Sequence, residues 1–137
     1  MAQQLILTAD DNMQIRMLVK AALRSLGHDL IEAVDGEQAL EMAIEHRPDL
    51  VLLDVTMPKL DGWEVLHFMR LRPETAGVPV MMLTTAAQKS DLAHAEELGC
   101  NGYLTKPFTP SELRQRVEQM LSSRPVSVRY RARGRQR

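Results

Sequence analysis

Leu50-Val51-Leu52-Leu53 is a run of four aliphatic residues that ends abruptly at Asp54. A strand with one wet face alternates apolar and polar residues. A run without alternation is covered on both faces, as in a parallel sheet flanked by helices. The chain then turns away through Met57-Pro58 and Asp61-Gly62. Asp54 therefore stands where open α/β sheets place their ligands, outside the carboxyl end of a buried parallel strand. On this segment alone, an acid that merely caps the following loop or helix explains Asp54 equally well.

The remaining chain supplies the context. Leu5-Ile6-Leu7 is a short apolar strand running into Thr8-Ala9-Asp10-Asp11-Asn12. Ile15, Leu18, Val19, Ala22, Leu23 and Leu26 recur at helical spacing, with Arg16, Lys20 and Arg24 on the other face and Gly27 as the stop. Leu30–Val34 reads as a second strand closed by Asp35-Gly36, and Ala39, Leu40, Ala43 and Ile44 mark a second helix ended by Arg47-Pro48. After the central strand, Val65, Leu66, Phe68 and Met69 give a third helix that stops near Pro73. Val78–Leu83 is another continuous apolar strand, with Pro79 confined to its beginning because proline donates nothing to a ladder. Leu92, Ala95 and Leu98 support a fourth helix ending at Gly99, and Tyr103-Leu104 is a short fifth strand. Thr109-Pro110-Ser111-Glu112 has the form of a helix start, continued by Leu113, Val117, Met120 and Leu121. Strand and helix alternate five times with short connections, which predicts an α/β domain with a parallel sheet between two helical layers.

Length and composition set outer limits. The 137 residues suffice for one domain, expected over residues 1–123. No apolar run approaches the ~20 residues of a membrane span, and the polar N-terminus lacks a signal-peptide pattern. A cytoplasmic location is the default expectation. The single Cys100 excludes an intramolecular disulfide framework and a Cys-rich zinc site. The net charge of −1 hides an asymmetry: the segment 124–137 carries six arginines, and without them 11 basic residues face 18 acidic ones. The expected domain is acidic and the appendage strongly basic.

The polar residues share one edge. The first strand ends in Asp10-Asp11, the third in Asp54, the fourth in Thr84-Thr85 and the fifth in Lys106. In a parallel sheet these ends converge. Clustered carboxylates repel one another and either hold protons to higher pH or require a cation, and a hard ion such as Mg²⁺ takes oxygen ligands while keeping several waters. With a hydroxyl and an ammonium added, the set matches what phosphoryl transfer requires, including a carboxylate able to act as nucleophile.

On these residues the chain resembles the receiver domains of bacterial two-component response regulators. The resemblance covers about residues 3–122 and rests on Asp10-Asp11, on Asp54 with Met57-Pro58 and Asp61-Gly62, on Thr84, and on Tyr103 with Lys106-Pro107-Phe108. It implies a flavodoxin-like three-layer sandwich, a five-stranded parallel sheet of order 2-1-3-4-5 flanked by five helices. It further implies that Asp54 accepts a phosphoryl group from a sensor histidine kinase or phosphotransfer protein. Asp11, Asp54 and the backbone carbonyl of Thr56 would bind Mg²⁺ directly, and Asp10 through water. Thr84 and Lys106 would contact the phosphoryl oxygens, Tyr103 would act as an aromatic switch coupled to Thr84, and the Lys106–Pro107 peptide would be cis. Output would pass to a downstream protein, or to a second copy in a homodimer, through the face formed by the fourth helix, fifth strand and fifth helix. Thr56 and Ala86, at positions that tune dephosphorylation in this family, offer no group to orient water, so a long-lived phosphorylated form is expected.

Other readings compete. A Mg²⁺-dependent phosphatase with an aspartate nucleophile usually has a second acid two residues on; that position is Thr56, so a non-enzymatic phosphoacceptor is expected. Asp10-Asp11 alone reads better as a helix cap and dipole partner, and only Asp54 and Lys106 on the same edge turn the reading toward a site. The histidines, with no ligand-like spacing, read as surface residues, Met81-Met82 as core, and Trp63 as packing at the start of the third helix. The basic 124–137 appendage reads as a disordered tail, a linker to an absent nucleic-acid-binding output domain, or an arm for nucleic-acid phosphates.

Overall fold

The computed structural model describes residues 3–85 and 97–122. At its centre β3 (Leu50–Asp54) is buried at every position, between β1 (Leu5–Ala9) and β4 (Val80–Thr85). β2 (Asp29–Ala33) pairs with the far side of β1, and β5 (Gly102–Lys106) with the far side of β4. All four pairings are parallel and the order is β2-β1-β3-β4-β5. The chain thus leaves β1 toward one edge and returns to β3 on the other side. That reversal opens a crevice at the carboxyl ends of β1 and β3.

Both faces of the sheet are covered, which explains the unbroken apolar run in β3. Leu7, Val51, Leu53, Val80 and Met82 face one layer of core with Val65, Leu66 and Met69 of α3 (Gly62–Arg70) and Ala39 and Ala43 of α2 (Gly36–His46). Ile6, Leu50, Leu52, Met81 and Leu83 face the other, with Val19 and Leu23 of α1 (Met13–Arg24) and Leu113 and Val117 of α4 (Pro110–Ser122). Trp63 packs against the first layer, and Met81 and Met82 are core as expected. The helix expected around Leu92 and Ala95 and the 124–137 appendage lie outside the described residues.

Element ends follow local chemistry. α3 begins with a full capping box: Asp61 accepts from the Glu64 amide and Glu64 from the Asp61 amide, both at 2.9 Å. α4 repeats the device, with Thr109 Oγ1 accepting from the Glu112 amide and Glu112 Oε1 from the Thr109 amide. Buried Asp49 fixes the opposite edge of the sheet, its Oδ2 accepting from the Leu5 amide at 2.8 Å. β4 starts at Val80, not Val78, because Pro79 precedes the ladder, and it runs on through Thr84-Thr85. β5 is longer than Tyr103-Leu104 because β4 offers it a continuous partner from Met81 to Thr85. β2 sits one residue earlier than expected. His28 is half-buried, not a surface residue, and its Nδ1 accepts from the Gln4 amide.

Candidate functional site

Sheet alternation puts Asp54 on the face shared with Leu52 and Leu50, and Asp10 continues the same face of β1 beyond Thr8. Lys106 lies on that face too, one step past Leu104, and its side chain reaches back across β4. Its Nζ donates to Asp54 Oδ1 at 2.6 Å and to Asp10 Oδ2 at 3.1 Å. Asp11 joins them: one carboxylate oxygen from each of Asp10, Asp11 and Asp54 lies within 4.8 Å of the others. Asp10 and Asp54 are buried and Asp11 is exposed, so the cluster opens to solvent on one side.

The acids are not occupied as caps. Asn12 caps α1, its Oδ1 accepting from the amides of Gln14 and Ile15, and Asp61 caps α3. Asp10 Oδ1 accepts from the Asn12 amide at 2.9 Å, which ties its carboxylate to the turn between β1 and α1. The capping explanation for Asp10, Asp11 and Asp54 is therefore set aside.

Electrostatics pull in opposite directions here. Burial pushes the Asp54 carboxyl up; the hydrogen bond from Lys106 opposes it, Asp10 and Asp11 add to it, and the net direction is upward. For Lys106 burial pulls down, but the hydrogen bonds and charges of Asp54 and Asp10 together outweigh it and the ammonium is held above its ordinary range. A buried acid pair that shares one lysine and has a third acid beside it carries an excess of negative charge. The donor set is entirely carboxylate oxygen and suits a hard divalent cation such as Mg²⁺ better than a softer metal.

Thr84 is buried one step past the Asp54–Leu83 pair, and its hydroxyl donates to the Thr85 carbonyl at 3.2 Å. Thr85 and Thr56 are exposed. Tyr103 is 40% exposed on the outer strand, with the Arg116 guanidinium 5.7 Å from its ring centroid. The Lys106–Pro107 peptide is cis. Cys100 is half-buried, its thiol donating to the Gly102 carbonyl.

Two features were not anticipated. Arg16, assigned by periodicity to the outer face of α1, turns toward β2: its Nε donates to Glu32 Oε1 and its Nη1 to the Asp10 carbonyl. Second, the loop after β3 is docked on the start of α2. The Gly36 amide donates to the Pro58 carbonyl, Lys59 pairs with Asp35 at 3.6 Å, and a Cβ at position 36 would overlap the Leu60 carbonyl. Asp35-Gly36 gave only a turn signal in the sequence.

A family profile for the response regulator receiver domain matches residues 6–118. The alkaline phosphatase synthesis transcriptional regulatory protein PhoP of Bacillus subtilis is 43% identical over 123 residues, covering 90% of this chain and 50% of PhoP. The chain spans about half the length of the curated relatives it matches. Among solved structures, the chemotaxis response regulator CheY4 of Vibrio cholerae superposes with a TM-score of 0.82 at 31% identity, over 88% of this chain and all of that one. The receiver domain of the sensor histidine kinase PA1611 of Pseudomonas aeruginosa gives 0.81 at 34% identity, over 89% and 100%. That structure is described with a magnesium ion coordinated in its active-site cleft.

Proposed function

Since this chain belongs to the response regulator receiver domain family, we propose that it is switched by phosphorylation of Asp54, with a phosphohistidine on a sensor kinase or phosphotransfer protein as donor. One observation carries the reading: a single ammonium, Lys106 Nζ, grips carboxylates from two other strands, Asp54 at 2.6 Å and Asp10 at 3.1 Å. Lys106 holds Oδ1 of Asp54 and so leaves Oδ2 to attack phosphorus. The new O–P bond forms as the P–N bond breaks, and the electron pair leaves with the donor imidazole. Lys106 then pairs with a phosphoryl oxygen as a point charge. Thr84, one step along β4, exchanges its Thr85 carbonyl for another phosphoryl oxygen.

Asp11, Asp54 and the Thr56 carbonyl would hold Mg²⁺, with Asp10 acting through water. The ion supplies charge neutralisation for the clustered carboxylates and the transferred group. Thr56, two residues beyond Asp54, has no acid to protonate a leaving group, so this chain is a phosphoacceptor and not a multiple-turnover phosphatase.

Output follows from a population shift in which Thr84 moves and Tyr103 leaves its exposed place beneath Arg116. The face around β5 and α4 then meets a downstream protein or a second copy of the chain. The test is incubation with Mg²⁺ and a small acyl phosphate, followed by intact mass. The expected result is one added phosphoryl group that Asp54→Asn abolishes. Phosphoryl incorporation that persists in Asp54→Asn overturns the assignment.

A further inference from the structure

The peptide group joining Asp10 to Asp11 is gripped by a helix side chain. Arg16 Nη1 donates to the Asp10 carbonyl at 2.6 Å, while Nε of the same guanidinium donates to Glu32 Oε1 at 3.2 Å. Glu32 is anchored in turn: it sits in β2 opposite Thr8, and its second oxygen lies 2.7 Å from Lys20 Nζ. The Arg16 side chain is only 13% exposed, so the fork is fixed by packing as well as by its bonds. On the other side of the same residue, the Asp10 amide donates to the Ala33 carbonyl at 3.2 Å.

We propose that Arg16 is a positioning residue for divalent-cation binding, acting through the Asp10–Asp11 peptide to set the direction of both carboxylates. The inference rests on the reading of Asp10, Asp11 and Asp54 as the cation site. The carbonyl that Arg16 holds belongs to the plane from which Asp11 departs. Asp11 is exposed, so its direction is governed by that plane and not by packing. A guanidinium has donors in a rigid fork and can bridge a carbonyl and a carboxylate at once; a lysine ammonium on a flexible stem is a point charge.

Charge and positioning predict opposite signs, which makes the idea testable. Arg16 is a cation near a cation site, so by charge alone its removal tightens Mg²⁺ binding. By positioning, its removal weakens binding, on the scale of about 10-fold that outer-shell partners of metal ligands typically carry. The experiment is calorimetric titration of the full chain with Mg²⁺ for wild type, Arg16→Met, Arg16→Lys and Lys20→Met, each checked for cooperative unfolding. Lys20→Met deletes the same charge from the same group without touching the Asp10 carbonyl.

The expected result is roughly 10-fold weaker binding in Arg16→Met and a smaller loss in Arg16→Lys, with Lys20→Met unchanged or slightly tighter. Equal or tighter binding in Arg16→Met overturns the proposal, as does an equal loss in Lys20→Met. Should Arg16→Met not fold, Arg16→Lys decides, and wild-type affinity in that variant overturns the proposal. Wild type that takes up no Mg²⁺ removes the cation-site reading and this inference with it; uptake by wild type with an indifferent Arg16 removes this inference alone.

Discussion

Replacing Asp54 with asparagine should stabilise the metal-free protein while destroying its proposed chemistry. At an effective dielectric constant of about 20, two unit charges 4.8 Å apart repel by about 3.5 kcal/mol. Asp10 therefore opposes a charged Asp54 by about 3.5 kcal/mol and exposed Asp11 adds a smaller, solvent-screened amount, while Lys106 at 2.6 Å offsets about 6 kcal/mol, so the charges alone come close to balance. Burial of the carboxylate, on a side chain only 9% exposed, is added on the unfavourable side. A neutral asparagine removes the imbalance, and Lys106 keeps Asp10 at 3.1 Å as its partner. The expected gain is about 1–2 kcal/mol, or roughly 4–8 °C in Tm for a domain of this size. Urea and thermal unfolding in EDTA at low salt measure it. The sign with pH is also fixed. The folded state holds the Asp54 proton to a higher pH than the unfolded chain does. Stability from this group is therefore fully present below the ordinary carboxylate range and is lost as pH rises through the raised folded value. Asp54→Asn lacks that loss, so its advantage should shrink on acidification and shrink again when Mg²⁺ is added to both proteins. An Asp54→Asn protein less stable than wild type in EDTA at neutral pH would refute the reasoning, since it would mean that the Lys106 pair outweighs the crowding of acids.

Lys106→Met leaves Asp10 and Asp54 buried without their shared cation and should cost about 3–5 kcal/mol in EDTA. The same variant should bind Mg²⁺ more tightly than wild type, because a competing charge is gone, and calorimetry checks this. Gly36→Ala forces the loop after β3 off the start of α2, since its Cβ meets the Leu60 backbone; urea unfolding should show a loss of at least about 2 kcal/mol. Thr109→Ala removes half of the α4 capping box and should lower stability by about 1 kcal/mol without changing Mg²⁺ affinity. The aspartyl phosphate of wild type should be long-lived in Mg²⁺, and decay within seconds counts against the roles inferred for Thr56 and Ala86.

What was legible in the sequence depended on whether one residue type could satisfy only one environment. Leu50–Leu53 admits no wet face, so the two-sided sheet and the edge position of Asp54 followed directly. Thr109 and Glu112 carry both halves of a capping box and marked the start of α4. Arg16 was misplaced because helical periodicity separates an apolar stripe from the opposite face and leaves the flanks undecided. Its flank faces the edge strand β2, where Glu32 was waiting. Capping by Asn12, not by its acidic neighbours, turned on a choice among three adjacent good caps that local propensity does not resolve. The Gly36–Leu60 approach joins two loops distant in the chain, and no local pattern encodes it.

The two bonds of Lys106 have a consequence for how the molecule comes into being. Asp10, Asp54 and Lys106 hang from β1, β3 and β5, and β4 lies between the last two. No fragment short of four aligned strands brings the ammonium to both acids. Under the proposed function, receipt of a phosphoryl group therefore waits on the alignment of β1, β3, β4 and β5, and a chain in which those strands have not yet joined has no assembled site to receive it.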